Sequence, residues 1–383
     1  MRRVGSAFAM LVLIGGVGAS GLGSADAASS HPAVVYRGRP AIAAGLEDAC
    51  GLSSSGSLKC WGSNQYFVLG TAQPPRSPIA LTVPGIANAT AIAVGLGACA
   101  LFAPGTVKCW GYPYPTKPTL VKGVTSAVAI SMQSHTCIAL RSGTVQCWGN
   151  GTDGALGNGA TANSVAPVTV KGVTNAVAVS TGSNRSCAVL KDGSARCWGG
   201  NQYGALGSGT SVDRSLTPVR VKGLSGAVAI ASGNGSSCAL LGTGHVECWG
   251  DNIAGQLGNG TKSNGGSRVP VKVKKLDNAV SISVGSGFAC SALANGRAKC
   301  WGSNSFKTVG DGKDFNVSTP DFVTNISNAK TVAAGAISAC ALLADGTVRC
   351  WGSNQKGELG TGTAFKDSAK PLLVKGLNLG RHA

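Results

Sequence analysis

The sequence predicts an all-β protein, a seven-bladed β-propeller whose repeats are about 50 residues long. Its 383 residues include 58 Gly but only 13% charged and 5% aromatic residues, and the apolar residues occur in short runs between Gly-rich turns. Fourteen cysteines fall into seven pairs, and the two members of each pair are ten positions apart. The second cysteine of each pair is followed directly by Trp-Gly, which accounts for all seven Trp residues. One unit is therefore repeated seven times.

The first 27 residues have the pattern of a secretory signal peptide. Residues 1–3 are Met-Arg-Arg, residues 7–23 are mostly apolar, and residues 25–27 are Ala-Asp-Ala, a small-x-small cleavage pattern. A membrane anchor is the alternative, but the apolar stretch is short, rich in Gly and not followed by basic residues. No other segment is apolar enough to span a bilayer, so we expect a secreted or cell-envelope protein. The expected divisions are a signal peptide at 1–27, an N-terminal arm at 28–39, the propeller at 40–377 and a C-terminal tail at 378–383.

The cysteine spacing predicts one disulfide-linked hairpin in each blade. In the last copy, Ala344, Asp345 and Gly346 form a three-residue turn in which Gly supplies the left-handed residue. That turn places Cys340 opposite Cys350 as a non-hydrogen-bonded pair, whose Cα atoms are within disulfide reach. The same geometry applies to the other six pairs, which are Cys50 and Cys60, Cys99 and Cys109, Cys137 and Cys147, Cys187 and Cys197, Cys238 and Cys248, and Cys290 and Cys300.

Zinc binding and free thiols are the two alternatives to disulfides. Structural zinc sites favour two to four residues between cysteines, and the four His residues do not recur with the repeat. A reduced set of buried cysteines is disfavoured by the expected export, because disulfides persist in oxidising compartments. We therefore expect seven disulfides and no metal.

Two further strands complete each repeat. One has the pattern Ala-Val-Ala-Ile/Val and precedes the first cysteine, as in residues 176–182, and the other has the pattern Pro-x-x-Val-Lys-Gly, as in residues 218–223. About five residues separate the second pattern from the next copy of the first, which favours neighbouring antiparallel strands, and the longer link after Trp-Gly is expected to cross the blade. By the same reasoning, Pro371 to Val374 is expected to pair with Ala41 to Gly45 and close the ring.

The segment from Cys340 to Gly360 reads Cys-Ala-Leu-Leu-Ala-Asp-Gly-Thr-Val-Arg-Cys-Trp-Gly-Ser-Asn-Gln-Lys-Gly-Glu-Leu-Gly. With its six relatives it resembles the regulator of chromosome condensation repeats, in the cysteine-stapled form of exported bacterial proteins, over nearly all of residues 40–377. The resemblance implies a propeller. It leaves the function open, because the family includes exchange factors for small GTPases, chromatin binders, and exported binding or inhibitor proteins.

No group of residues in the sequence predicts an active site. His135, in the run Ser-His-Thr-Cys, is the only candidate for Ser-His-Asp chemistry near a loop with a hydroxyl neighbour, and we interpret it as a loop residue. Asp192 and Asp345 are typical of hairpin turns, and Asp311 with Asp314 only loosely resembles a calcium loop. We expect no enzyme activity and no cofactor. The alternatives are an exchange-factor-like regulator, which the expected export disfavours, and a cell-envelope hydrolase, for which clustered carboxylates are missing.

The positive charge points to an anionic ligand or to a solvated surface. Without residues 1–27 the chain has 31 Lys and Arg against 14 Asp and Glu, a net charge of +17. One repeated position is expected to form a partial ring around the axial mouth, either an anion site or a solvated strand end: Lys122, Lys171, Lys222, Lys274 and Lys375. Another is expected to pack along the Trp rings: Lys59, Lys108, Arg196, Lys299 and Arg349. Nucleic acid is disfavoured because no exposed aromatic platform recurs.

The loops before each first cysteine differ most between copies and lie, by strand alternation, on the face opposite the hairpin turns. Variable loops on a constant scaffold are typical of a binding surface, and drift in unconstrained loops is the alternative. We therefore expect a monomeric recognition module for an unknown protein or an anionic envelope polymer. The candidate partner-binding residues are Arg185, Tyr203, Phe288, His135 and Phe306.

Overall fold

The computed structural model describes residues 40–380, and these form seven blades, each a four-stranded antiparallel sheet. The expected signal peptide, the N-terminal arm and the last three residues lie outside the described residues. Every blade is one contiguous stretch of chain, so no strand is exchanged between the two ends.

Each blade consists, in chain order, of an inner strand, a second strand, a third strand and an outer strand. Two 3-10 turns, Thr152–Gly154 and Gln202–Gly204, lie between third and outer strands. The strands of blades 1 to 3 are Ala41–Ala44, Asp48–Leu52, Leu58–Ser63 and Arg76–Thr82; Ala89–Val94, Gly97–Phe102, Thr106–Gly111 and Thr119–Leu120; Ala127–Met132, His135–Leu140, Val145–Gly149 and Ser164–Thr169. Those of blades 4 to 7 are Ala176–Thr181, Arg185–Leu190, Ala195–Gly200 and Arg214–Arg220; Ala227–Ser232, Ser236–Leu241, Val246–Asn252 and Ser263–Lys272; Ser283–Val284, Phe288–Ala292, Ala298–Gly302 and Val317–Phe322; Ala329–Ala334, Ser338–Leu343, Thr347–Gly352 and Ser368–Asn378.

The spatial order of the strands corrects the predicted blade. Inner strands carry the Ala-Val-Ala pattern and surround a central channel, whereas the outer strand pairs with the third strand of its own blade, for example Val219 opposite Cys197. The predicted pairing of the Pro pattern with the following Ala-Val-Ala strand is therefore wrong. The short link joins the outer strand of one blade to the inner strand of the next, and the long link does not cross the blade.

All seven predicted disulfides are present, each between the second and third strands of one blade. Their Cα atoms are 4.0–4.1 Å apart, the close spacing of a non-hydrogen-bonded pair. In blade 7, Gly346 at the hairpin turn has a φ of 83°. The predicted register is thus confirmed, and no cysteine of the described residues is free. The bonds join Cys50 to Cys60, Cys99 to Cys109, Cys137 to Cys147, Cys187 to Cys197, Cys238 to Cys248, Cys290 to Cys300 and Cys340 to Cys350.

The core consists of seven clusters of buried side chains, one at each boundary between neighbouring blades. We call these boundaries seams. In the seam between blades 3 and 4, Leu156 and Val170 of blade 3 pack with Ala188 and Trp198 of blade 4. Every seam contains the Trp of its second blade, so the repeated Trp packs one blade onto the preceding one.

The ring closes through a seam of the same kind, and this corrects the predicted closure. The strand that contains Pro371 pairs within its own blade, where Leu373 is opposite Arg349. It does not pair with Ala41 to Gly45. The ring is closed by side-chain packing, in which Leu377 and Leu379 share a cluster with Trp61 of blade 1, and by main-chain hydrogen bonds between the two blades.

The two faces of the propeller carry different loops, as strand alternation predicts. On one face the hairpin turns contact the links between blades, as in the bond from Ala227 N to Gly193 O, 2.9 Å long. On the other face, the loops between inner and second strands contact the segments between third and outer strands, as in the bond from Ser303 N to Gly287 O, 2.8 Å long. We call these two sets the inner loops and the connectors. The connectors are residues 64–75, 112–118, 150–163, 201–213, 253–262, 303–316 and 353–367.

Candidate functional site

The inner loops form a hydrogen-bonded belt around the channel rather than a set of free loops. Successive blades are joined by bonds such as those from Leu96 N to Gln133 O, 3.0 Å, and from Ala336 N to Gly45 O, 3.0 Å, which joins blade 7 to blade 1. The loops whose sequences vary between copies are therefore tied to their neighbours by main-chain hydrogen bonds.

Arg185, predicted to bind a partner, is buried and only 2% exposed. Its guanidinium donates to Gly233 O at 2.9 Å, Asn234 O at 3.0 Å and Ser236 O at 2.7 Å, so it links blade 4 to the inner loop of blade 5. Burial lowers the pKa of Arg185 to about 10, which leaves it charged at neutral pH. A partner docking on the folded propeller does not reach this side chain.

His135 and Phe288 occupy the same position in the repeat and are also buried, each 1% exposed. The Nε2 atom of His135 is 2.6 Å from Ser186 Oγ in the next blade, and burial lowers the pKa of His135 to about 4, so the ring is neutral. Phe288 packs into the seam between blades 6 and 7. The expectation that Arg185, Phe288 and His135 contact a partner is therefore corrected, because the first residue of the second strand faces the neighbouring blade.

Replacing Arg185 with Met should destabilise the propeller by about 3 kcal/mol, because three buried carbonyl oxygens lose a charged donor. Denaturant unfolding of both proteins measures the difference. Arg214→Met is the matched control, since Arg214 is exposed and lies 3.7 Å from Asp153 as its ion-pair partner; its effect should stay within about 0.5 kcal/mol. Equal effects of the two substitutions would contradict the bridging role.

The central channel contains a cavity of about 160 Å³ lined by the inner strands, with no charged residue in its lining. Several hydroxyls there are used between blades: Ser131 Oγ accepts Thr181 N at 3.0 Å, and Ser180 Oγ accepts Ser232 N at 2.8 Å. The channel therefore offers neither a free nucleophile beside a base nor a charged contact for a ligand.

Two buried carboxyls lie near the seam between blades 7 and 1. Asp48 is 3% exposed and Glu358 is fully buried, and neither Asp48 Oδ1 nor Glu358 Oε1 has a hydrogen-bond partner. Burial raises the pKa of Asp48 well above its usual range, and the charges of Glu47 and Glu358 raise it further. Burial likewise raises the pKa of Glu358. Carboxyls with raised pKa occur in active sites, but these two are closed to a substrate.

Asp48→Asn should raise the melting temperature by an amount that grows with pH. Since the pKa of Asp48 is raised in the folded state, its contribution to stability is complete below about pH 4 and is lost as pH rises through the folded pKa. Variant and parent should therefore differ little at pH 4 and clearly at pH 8. Asp192→Asn is a control whose effect on the melting temperature should have the opposite sign, because the Ser194 hydroxyl lowers the pKa of Asp192 and so stabilises its charged form. A difference that stays constant with pH would refute the prediction.

The repeated lysines lie at the outside of the propeller, not around the axial mouth. These residues lie at the ends of outer strands or, for the last of them, within one, and outer strands lie three strands away from the channel. All five are exposed: Lys122, Lys171, Lys222, Lys274 and Lys375. The predicted ring around the mouth is wrong because it placed the Pro pattern at the inner strand.

The basic residues that precede each second cysteine were expected to pack along the Trp rings. The two of them that lie over an aromatic ring contact Phe and not Trp. Lys108 Nζ lies 5.6 Å from the centre of the Phe102 ring, and Lys299 Nζ lies 4.4 Å from that of Phe322. The Trp rings are enclosed in the seams, so these basic side chains reach phenylalanines instead.

The connectors carry every aromatic side chain that is more than one-third exposed among residues 40–380. Tyr203, 43% exposed, and Phe306, 48% exposed, are the two predicted partner-binding residues that the structure places on the surface. The full set is Phe67, Tyr112, Tyr203, Phe306, Phe315 and Phe365. Sequence reasoning did not name Tyr112, Phe315 or Phe365, because nothing in the local sequence shows which connector residues stay exposed.

An asparagine at the start of most connectors holds these aromatics on a fixed backbone. In blade 4, Asn201 Oδ1 accepts Leu206 N at 3.0 Å, and Asn201 Nδ2 donates to Val212 O at 2.7 Å. Tyr203 lies between these contacts with a φ of 55°, a conformation that non-Gly residues rarely adopt. The connector therefore presents Tyr203 with little freedom of the main chain.

Within residues 40–380, no group of three or more His, Cys, Asp or Glu side chains is arranged to hold a metal ion. Asp311 and Asp314, which loosely resemble a calcium loop, lie 3.6 Å from Lys313 Nζ and 4.0 Å from Lys307 Nζ. None of the described segments forms a helix long and apolar enough to cross a membrane.

Two family models, both described as the regulator of chromosome condensation (RCC1) repeat, match the chain. One matches residues 142–189, 192–240 and 243–292. The other matches residues 128–155, 176–205, 227–256, 279–307 and 329–358. Together they extend from blade 3 into blade 7.

Several solved structures share the fold. A chain of the crystal structure of Kap60 bound to yeast RCC1 (Prp20) has a TM-score of 0.77 and 20% identity, covering 95% of this chain and 91% of that one. Prp20p from Saccharomyces cerevisiae, in a structure reported with its binding properties to Gsp1p and histones, has a TM-score of 0.75 and 22% identity, covering 89% and 87%. The human E3 ubiquitin-protein ligase HERC2 is 31% identical over 109 residues, which are 27% of this chain but 2% of that protein. The chain thus spans a small part of this relative.

Proposed function

Because the chain belongs to the regulator of chromosome condensation repeat family, we propose that it is a binding propeller that recognises a partner protein through its connectors and catalyses no reaction itself. The observation that carries this proposal is the confinement of exposed aromatic side chains to the connectors. Aromatic residues dominate the binding energy of protein interfaces.

The fold supports a recognition role for these loops. Seven disulfides and seven packed seams hold the blades, and rigid strands with surface loops are a common basis for recognition. The yeast protein Prp20 is described with protein partners in both structures, Kap60 in one and Gsp1p and histones in the other. A protein partner is therefore the class that we favour for this chain.

The compartment is also part of the proposal. Seven disulfides indicate an oxidising, extracytoplasmic environment, and the signal-peptide pattern of residues 1–27 agrees with export. We propose that the mature protein is secreted or retained in the cell envelope and acts there as a monomer.

Tyr203→Ala and Phe306→Ala should each weaken partner binding by at least about tenfold, since buried aromatic anchors are worth roughly 2 kcal/mol or more. The partner is first captured from the envelope or culture fluid of the source organism with a photo-crosslinker at position 203. A photo-crosslinker at position 191, in place of Lys191 on the opposite face, is the negative control. Affinity is then measured for each variant, together with its melting temperature, which should not change.

Leu120→Ala and Leu373→Ala are matched controls. Both residues are apolar and about as exposed as the aromatics, 54% and 50%, but they lie on outer strands. If the controls weaken binding as much as the connector variants, the connectors are not the binding face. If only substitution of Lys171, Lys222 and Lys274 weakens binding, and only at low salt, the partner is an anionic polymer. Acceleration of nucleotide release from a small GTPase would replace the proposal with exchange activity.

A further inference from the structure

Blade 2 differs from the other blades by a shortened connector. Its first cysteine precedes that of blade 3 by 38 residues, against 49 to 52 for the other intervals. The connector is residues 112–118, and the outer strand that follows it is only Thr119–Leu120. This deletion removes a segment that has the same packing role in every other blade.

In the other six blades the connector fills the next seam with a repeated contact. Each supplies a backbone carbonyl to the indole N–H of the following blade's Trp, and the next two residues are Leu or Val and then Gly. The bonds, 2.8–3.0 Å long, run from Trp61 to Glu358, Trp110 to Val68, Trp198 to Ala155, Trp249 to Ala205, Trp301 to Gln256 and Trp351 to Thr308. The branched side chains after those carbonyls, Leu359, Leu69, Leu156, Leu206, Leu257 and Val309, are buried.

The seam between blades 2 and 3 lacks this contact. Trp148 is 1% exposed, and its Nε1 atom is buried without a hydrogen-bond partner. Trp148 instead lines a cavity of about 330 Å³, together with Leu96, Tyr112, Tyr114 and Val165. A buried donor without an acceptor is costly, so a ligand that supplies a carbonyl there gains affinity.

Tyr114 fills part of the space that the connector leaves. Burial raises the pKa of its phenol, and the Thr136 hydroxyl and the Trp148 indole lower it, which places the hydroxyl near the indole N–H. The Tyr114 hydroxyl forms its hydrogen bond with Thr136 Oγ1 at 2.9 Å. Tyr114 therefore covers the indole N–H without giving it the carbonyl acceptor that the other six seams have, and a peptide carbonyl reaches Trp148 Nε1 when the Tyr114 side chain moves aside.

We infer that this cavity is a binding site for a peptide segment of a partner protein. The segment presents a backbone carbonyl to Trp148 Nε1, followed by a Leu or Val side chain and Gly, because that arrangement fills the six corresponding seams. Tyr112, which packs against Tyr66 with ring centres 5.9 Å apart, provides an aromatic wall at the open side. This inference rests on the proposed role of the connectors in binding and locates a specific site there.

The probe is the chain's own connector sequence from blade 4, Asn-Gln-Tyr-Gly-Ala-Leu-Gly-Ser-Gly, residues 201–209, added as a free peptide to the mature protein. The protein carries ¹⁵N in its Trp indoles. We expect a saturable shift of one indole N–H resonance among the seven, the one that Trp148→Phe removes. A peptide in which Leu206 is replaced by Gly should bind more weakly by a factor of at least about ten, because it loses one buried Leu side chain.

Two protein variants control this titration. Trp198→Phe removes an indole whose acceptor, Ala155 O, is already present, so peptide binding should not change. Replacing residues 112–118 with residues 200–218, the aligned stretch of blade 4, restores a full connector. That variant should lose peptide binding and should show the Trp148 resonance at its peptide-bound position without peptide.

No shift at millimolar peptide, or equal shifts of several indoles, would overturn the inference. A second result would also overturn it. If the Trp148 resonance of the free protein already has its peptide-bound position and moves only when residues 28–39 are deleted, the chain's own N-terminal arm occupies the cavity. A failed titration leaves the crosslinking and alanine results at Tyr203 and Phe306 unaffected, so it can be told apart from failure of the proposed function.

Discussion

Reducing all seven disulfides should prevent the propeller from folding. Each disulfide closes an eleven-residue loop, and loop-closure entropy assigns about 3 kcal/mol to a loop of that size. The sum over seven blades is about 20 kcal/mol before residual hairpin structure in the unfolded chain lowers it, and it exceeds a typical folding free energy of about 5–15 kcal/mol. The measurement is refolding from denaturant with and without a reductant, followed by circular dichroism and intrinsic Trp fluorescence.

A graded series separates the disulfides from other effects of the reductant. Replacing Cys187 and Cys197 together by Ala removes one disulfide and should cost about 3 kcal/mol, while the same change in Cys290 and Cys300 should cost a similar amount because the loops are equally long. A chain with all fourteen thiols alkylated that still refolds to the native spectrum would show that seam packing alone is sufficient.

Deleting residues 370–383 should unfold the ring or open it between blades 7 and 1. The deletion removes most of the outer strand of blade 7 and the buried side chains of Val374, Leu377 and Leu379. Burial of these three side chains alone contributes about 6 kcal/mol, and their loss also exposes Trp61 of blade 1. Thermal unfolding of the truncated and full-length mature chains measures the effect.

Removal of residues 28–35 is the control at the other end of the chain, and we expect little change in the melting temperature. Leu377→Ala with Leu379→Ala tests the same seam without removing the strand, and it should cost about 4 kcal/mol or more. Strong destabilisation by the N-terminal deletion together with a tolerated C-terminal deletion would contradict closure through this seam.

The hairpins were predictable because every determinant is local. Ten positions between cysteines and a Gly at the third turn position define one register, and Cys340 lies opposite Cys350 as expected. The strand order was not predictable in the same way. A link of about five residues suits both a neighbouring strand in one sheet and a passage to the next blade, and only packing of Trp198 against the preceding blade distinguishes them.

The exposure of the candidate binding residues was predicted in part. Tyr203 and Phe306 are exposed, whereas Arg185, His135 and Phe288 are buried, although all five lie in loops or at strand ends on the same face. Sequence variation marks both binding residues and residues that fit one particular seam. The two cases differ in burial, which depends on the neighbouring blade and not on the local sequence.

The sequence by itself determined the number of blades, the disulfide-linked hairpins and the shortened second repeat, because each follows from spacing along the chain. Only the tertiary structure decided that the Pro-pattern strand is the outer one, that the ring closes by packing, and that Trp148 lacks the acceptor that six other Trp residues have. Those features arise between blades, where residues about 50 positions apart meet. A repeat pattern specifies the unit, but the surface on which units pack is formed only when all seven are assembled.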